Sequence, residues 1–312
     1  MFKLIADWLV FSVFQMDPAS RWSEVLNFFI YDTLKILVLM MTVVFVVALV
    51  RSFFPPQKIK EILSHEKWGL NYLTAAFFGV LSPFCSCSAI PIFLGIIEAQ
   101  APLGVAFTFL ITSPLVNEVA LGIMVGTFGW KIALLYAVSG ITLGMLAGAI
   151  LGRLNLQKEL ILRRNDQTNE GWPDNNIARI KFAAEEVYWI VRKMFWFVVG
   201  GVAVGALIHG LVPAEFFANY LGKGNWWAVP LAVLVGVPIY AGCSTVVPVV
   251  FAFVTKGVPL GTALAFMMAV AGLSLPEALI LKGSMSYRLL AIFYVLVAIG
   301  IILIGYLFNF IL

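Results

Sequence analysis

Three thiols, Cys85, Cys87 and Cys243, are the only cysteines of this chain, and all of them sit in two short segments that read alike. The first segment is Gly79-Val80-Leu81-Ser82-Pro83-Phe84-Cys85-Ser86-Cys87-Ser88-Ala89-Ile90-Pro91. The second is Gly236-Val237-Pro238-Ile239-Tyr240-Ala241-Gly242-Cys243-Ser244-Thr245-Val246-Val247-Pro248. Thiols flanked by Ser82, Ser86, Ser88, Ser244 and Thr245 form a soft, polarisable donor set. Such donors select monovalent copper, trivalent arsenic-like metalloids or polarisable sulfur species, and not magnesium or calcium. No histidine accompanies them, since His65 and His209 fall near the ends of other stretches. A buried thiol can also act as a small hydrophobe. That explains one cysteine better than three confined to two similar segments. A redox pair is a further alternative, but Cys-x-Cys makes a strained disulfide and no Cys-x-x-Cys motif or nucleotide-binding glycine loop is present. No cofactor is expected.

Two acids stand at similar breaks. Glu118 follows Ser113-Pro114-Leu115-Val116-Asn117, and Glu277 follows Ser274-Leu275-Pro276. A carboxylate at the edge of a broken membrane helix is costly and marks a functional candidate. Glu118, Glu277 and Asn117 are therefore candidates for coupling an ion, a proton first of all. The competing reading is a helix cap, because Asn and Ser cap well and an acid in a first turn suits the helix dipole.

These groups lie in a very apolar chain. Hydrophobic residues make up 62% and charged residues 12%, a balance that no soluble domain of this length tolerates. The sequence thus reads as a polytopic helical protein whose first partner is the lipid bilayer. A net charge of +4, confined mostly to loops, warrants no nucleic-acid partner. An odd cysteine count in apolar stretches is not a secreted disulfide framework. Residues 1–32 read as an interfacial segment, with Asp7 inside an apolar run and no small-residue cleavage site. Proline removes a backbone donor and disfavours helix before it. Non-helical backbone survives in a bilayer only where protein buries it or a wet cavity meets it. A broken, thiol-bearing segment at membrane depth therefore reads as a substrate site.

The expected layout is a first membrane repeat over 33–152, a basic cytoplasmic linker over 153–193, and a second repeat over 194–312. Thr33–Val50 and Trp130–Leu151 read as clean spans. Between them, 69–100 breaks at Pro83–Pro91 and 102–128 breaks at Thr112–Glu118. Gly140, Gly144, Gly148 and Gly152 recur on one helix face and let another helix approach closely. Packing within the chain is the expected use of that face, and a homo-oligomer through Gly140, Gly144 and Gly148 is the alternative.

A shift of 157 positions superposes Pro56 on Pro213, Gly79 on Gly236, Pro91 on Pro248, Pro102 on Pro259 and Gly104 on Gly261. A two-residue gap then brings Glu118 onto Glu277. Arg51, Lys58, Lys60 and Lys67 follow the first span, while the matching loop carries only Lys223. Conversely, Lys131 is matched by Lys282 and Arg288. Lys and Arg mark the cytoplasmic side, so matching loops are expected on opposite faces. The expected fold class is therefore an all-α polytopic membrane protein of two inverted-topology repeats. Their broken or re-entrant helices meet near the bilayer midplane, bringing the three cysteines together.

Ser82-Pro83-Phe84-Cys85-Ser86-Cys87-Ser88-Ala89-Ile90-Pro91, Thr112-Ser113-Pro114-Leu115-Val116-Asn117-Glu118 and Ala241-Gly242-Cys243-Ser244-Thr245-Val246-Val247-Pro248 carry a family likeness. They resemble the large family of predicted permeases that includes the organoarsenical efflux permeases of the ArsP type. The resemblance implies a transporter, not an enzyme, in the cytoplasmic (inner) membrane. It implies export of trivalent methylated or aromatic arsenicals, with Cys85, Cys87 and Cys243 binding arsenic. Two other readings stay open: a carrier of a small sulfur-containing anion such as thiosulfate, and a membrane thiol oxidoreductase.

Overall fold

Without water to satisfy peptide groups, an apolar chain hydrogen-bonds to itself, and helix does so within one segment. The computed structural model describes residues 2–17, 20–53, 70–81, 86–98, 101–154, 156–160, 175–211, 225–239 and 243–312. Among these residues the chain is helical with no strand, apart from one isolated bridge between Leu160 and Met285.

The helices are α1 (Phe2–Asp7), which runs into a π-helical turn at Trp8–Val13, α2 (Arg21–Phe53), α3 (Leu70–Leu81), α4 (Ser86–Glu98), α5 (Leu103–Leu115), α6 (Glu118–Phe128) and α7 (Trp130–Arg153). A 3-10 turn at Leu156–Glu159 follows. Then come α8 (Asn176–Leu211), α9 (Ala228–Gly236), α10 (Cys243–Thr255), α11 (Leu260–Gly272), α12 (Leu275–Leu281) and α13 (Tyr287–Ile311). Helices α7 and α13 are long and apolar enough to cross a membrane, and α5 with α6 is so as a pair bent by 43°. The protein is an all-α, multi-pass membrane protein.

Helix boundaries repeat along the chain. The offset of 157 carries both ends of α4 onto those of α10, from Ser86 to Cys243 and from Glu98 to Thr255. It likewise carries both ends of α5 onto those of α11 and the first residue of α7 onto that of α13. Packing repeats as well. Helix α3 lies on α5 as α9 lies on α11, and α5 lies on α7 as α11 lies on α13.

The glycines found in sequence sit at these crossings. A Cβ on Gly104 would stand 2.6 Å from the Gly148 carbonyl oxygen, and one on Gly261 would be closer still to that of Gly305. Gly79 faces the Phe109 carbonyl at 3.4 Å, and Gly236 faces that of Phe266 at 3.2 Å. Each second contact is the first moved by the same offset. On α7, Gly140 meets Val116, Gly144 meets Thr112, and Gly148 meets Thr108 and Gly104. The glycine face is therefore covered by α5 of the same chain. A homo-oligomer through Gly140, Gly144 and Gly148 would have to displace it.

Residues that match under the offset also touch each other. Leu115 packs on Gly272 and Leu143 on Gly300. Helix α13 starts where α7 ends: the Ser286 N–H donates to the Glu159 carbonyl at 2.8 Å, and the Arg288 guanidinium lies 3.9 Å from the Glu159 carboxylate. With Leu143 on Gly300 midway, α7 and α13 are antiparallel neighbours.

Three details differ from the sequence reading. Helix α8 begins at Asn176 and runs unbroken through 193, so the later part of the expected linker is helix that continues into the second repeat. Helix α2 begins at Arg21, ahead of the expected Thr33. Helices α4 and α10 pass through Pro91 and Pro248, which the sequence reading treated as break residues. A proline within a helix costs one hydrogen bond, and packing elsewhere outweighs that loss. The loops compared for charge at 54–69 and 212–224, and the linker centre at 161–174, lie outside the described residues.

Gly104→Ala and Gly261→Ala are expected to destabilise the protein by about 1–3 kcal/mol each, because the new methyl meets backbone. Gly122, with nothing within 4 Å of its would-be Cβ, should accept alanine without loss. Thermal unfolding of the three variants in detergent checks the contrast.

Candidate functional site

The thiol-bearing elements begin in the same way. Helix α4 opens with Ser86-Cys87-Ser88 and α10 with Cys243-Ser244-Thr245, so each polar triplet forms a first turn. The backbone of these six residues is described; their side chains, and residues 82–85 including Cys85, lie outside the described set. The expected convergence of Cys85, Cys87 and Cys243 lies outside it too. Pro91 and Pro248 occupy the same position in the two helices. Each lacks the N–H that would bond the carbonyl four residues earlier, that of Cys87 and of Ser244.

The repeats exchange contacts around these helices. Helix α10 of the second half packs on α6 of the first, and α4 of the first packs on α12 of the second. Phe128 at the end of α6 meets Phe251 on α10 with ring centroids 5.7 Å apart. Each thiol-bearing helix thus lies beside the segment that follows the other repeat's break.

Those breaks are built by buried elements. Every residue of α5 is buried, and every described residue of α11 except its first is buried too. At about 1.5 Å per residue each is roughly 20 Å long, short of a full crossing. Helix α5 carries Pro114 near its end and stops at Leu115. Asn117 then starts α6, its side-chain oxygen accepting from the Val119 N–H at 2.9 Å and the Ala120 N–H at 3.4 Å. The side-chain oxygen of Asn117 thus acts as a helix cap. A cap satisfies donors that have no partner within the helix.

At the second break, α11 stops at Gly272 and α12 starts at Leu275. The Leu275 N–H donates to the Val237 carbonyl at 3.0 Å, which ties α12 to the segment ahead of Cys243. The Ser274 carbonyl accepts from the Ala278 N–H at 3.2 Å and from the Tyr294 hydroxyl at 3.0 Å. The Ser274 hydroxyl is buried and has no hydrogen-bond partner among the described residues.

The two acids part company here. Glu118 is exposed, whereas Glu277 is 1% exposed. The starts of α6 and α12 obey the ungapped offset of 157, from Glu118 to Leu275. The two-residue gap that paired the acids is therefore overturned. Asn117 matches Ser274, Glu118 matches the exposed Leu275, and Glu277 matches the buried Ala120. The acids sit two positions apart on a helix, which turns one outward and the other inward. Keeping the offset ungapped would have paired Glu277 with Ala120 from sequence, though it would not have told which of the two acids faces inward. Tyr294, whose counterpart is Ala137, carries no such signal.

The comparisons with known proteins agree with a membrane carrier. The family described as predicted permease (ArsP_1) matches residues 21–310. The UPF0718 protein MJ0584 of Methanocaldococcus jannaschii is 24% identical over 71% of this chain and 77% of its own. The UPF0718 protein YraQ of Escherichia coli is 22% identical over 94% of this chain and 83% of its own. A putative two-component membrane permease complex subunit of Streptococcus mutans is 28% identical, over 33% of this chain and 35% of its own. No solved structure matches the chain.

Replacing Asn117 by alanine should cost about 1 kcal/mol, the usual worth of an N-cap, while Asn117→Asp or Asn117→Ser keeps most of the stability. Equilibrium unfolding of the purified variants reads the difference.

Proposed function

The chain belongs to the ArsP_1 family of predicted permeases, and from that premise we propose that it is a secondary transporter built of two inverted-topology repeats. Inversion is supported by the antiparallel pair α7 and α13, which begin the offset at Trp130 and Tyr287 and touch at Leu143 and Gly300. A residue meets its own counterpart only near a two-fold axis. An axis across antiparallel spans lies in the membrane plane, the arrangement that puts substrate sites at broken helices near the midplane. Lys282 and Arg288 lie at the same end of the bundle as Arg153 and Lys158, which favours a cytoplasmic location for that end and for the linker at 153–193.

The observation that carries the substrate reading is the matched start of α4 and α10, each beside the other repeat's broken pair. In this reading Cys85, Cys87 and Cys243 bind a trivalent organoarsenical or a similar soft, thiol-reactive compound. Ser86, Ser88, Ser244 and Thr245 line its path. Trivalent arsenic binds thiols, and Cys87 and Cys243 belong to first turns, whose backbone N–H groups lack partners within the helix. Transport exports the compound through the inner membrane.

Everted membrane vesicles test the cargo. Wild-type vesicles should accumulate methylarsenite, and a protein with all three cysteines replaced by serine should fall to background. If thiosulfate moves instead and the triple variant keeps part of that activity, the cargo is a small sulfur anion and the arsenical reading fails. A Cys85–Cys87 disulfide that cycles with a quinone in mass spectrometry would make the protein a thiol oxidoreductase.

Topology is tested with single cysteines placed in the cysteine-free protein. Lys131→Cys and Arg288→Cys occupy matching positions and should react with an impermeant maleimide from opposite faces. Labelling from the same face would rule out inversion.

A further inference from the structure

The molecule's near-symmetry is broken at the buried Glu277, and that break points to how transport is driven. We propose that Glu277 is a proton carrier of this permease and moves one proton per cycle against the substrate; this rests on the transporter reading above.

Four observations converge on Glu277. Its side chain is 1% exposed, although it lies on a seven-residue helix between two breaks. An ionisable group buried at membrane depth is expensive and is kept where it has a function. Its neighbour Ser274, one turn earlier, buries a hydroxyl with no hydrogen-bond partner among the described residues. A second polar group, with spare donor and acceptor capacity, thus stands one helical turn from Glu277. The location is the third observation. Helix α12 packs on α4, which carries Cys87, and is hydrogen-bonded through Leu275 to Val237 on the approach to Cys243. Helix α12 thus touches one thiol-bearing helix and is hydrogen-bonded to the segment that leads to the other. The fourth is asymmetry: the matching position in the first repeat is Ala120, which is 0% exposed, and Glu118 faces outward. The same backbone site carries an acid once per chain.

A proton suits this place better than a metal cation. Hard cations gather about six oxygen ligands. The nearby Val237 and Ser274 carbonyls already accept hydrogen bonds, and no group of three or more His, Cys, Asp or Glu side chains occurs among the described residues. Titratable groups stand on the elements around α12. Tyr294 on α13 interacts with it electrostatically. Helix α8, also packed on α12, carries Arg192 and, with side chains outside the described set, Lys193 and His209. Helix α4 carries Cys87 and Glu98, whose side chains are likewise outside that set. Tyr294 lies seven residues into α13, roughly 10 Å from its start, so the acid sits on the linker side of the centre.

The test separates driving force from substrate handling. With an imposed pH gradient, wild-type vesicles should move methylarsenite faster than without one. E277Q should run at the no-gradient rate in both conditions while keeping substrate counterflow, which needs no net proton movement. E118Q should respond to the gradient as wild type does, and E277D should restore part of the response. Gradient-driven transport by E277Q would overturn the proposal, as would a dependence on a sodium gradient alone. Infrared difference spectra of the purified protein give a readout that needs no substrate. A titrating carboxyl C=O band should be present in wild type and E118Q and absent in E277Q. Its persistence in E277Q would overturn the proposal. Wild-type vesicles that move neither methylarsenite nor thiosulfate would instead sink the substrate reading, with the infrared titration still deciding the role of Glu277. Equal thermal unfolding of wild type and E277Q, or failing that the behaviour of E277D, guards against a folding defect.

Discussion

Two helix backbones can touch only where neither carries a side chain at the point of contact, and this fold depends on such contacts. Gly104 against Gly148, and Gly261 against Gly305, bring α5 onto α7 and α11 onto α13. In lipid there is little hydrophobic drive between helices, so close van der Waals packing holds them together. Around the same helices, Gly79 and Gly236 admit α3 and α9 to within contact of backbone carbonyls. Second-half polar side chains add to the crossing. The Asn309 amide donates to the Thr262 hydroxyl at 3.0 Å and accepts from the Thr262 N–H at 3.2 Å.

These crossings bury α5 and α11 almost entirely, and burial of short helices creates the breaks. A helix of 13 residues cannot cross the bilayer, so its end falls inside the protein. Backbone groups at that end must be satisfied there. The two halves solve the problem differently. In the first, the Asn117 side chain caps α6. In the second, the Val237 carbonyl takes the Leu275 N–H and the Tyr294 hydroxyl bonds the Ser274 carbonyl. The first solution is local. The second draws on α9 and α13, so the second break is joined to more of the bundle.

A shared backbone with unlike side chains is how a near-symmetric protein acquires direction. Ala120 and Glu277 occupy matching buried positions, as do Ala137 and the partly buried Tyr294. Asymmetry also appears at the surface, where the turn at Leu156–Glu159 clamps the start of α13 through Glu159. The 1% exposure of Glu277 beside a capped but exposed Glu118 is the sharpest of these differences.

Much of this was legible in the residues themselves. Composition alone required a helical membrane protein, because so few charges cannot clothe a soluble surface. Gly104, Gly261, Gly79 and Gly236 revealed the repeat because close approach tolerates no side chain there, so type at those positions follows from geometry. The cysteines and the permease family were readable from motifs for the same reason: chemistry restricts residue type. The facing of the two glutamates was not readable. Whether a position two residues on points inward depends on where the helix starts, and that start is set by packing at the break. Proline misled for a related reason. Its local cost is real, but the burial of α4 and α10 outweighs it, so the helices continue through Pro91 and Pro248. Local residue types thus determined the class, the repeat and the family. Only the tertiary structure decided which acid is buried, because burial belongs to the assembled neighbours and not to the residue.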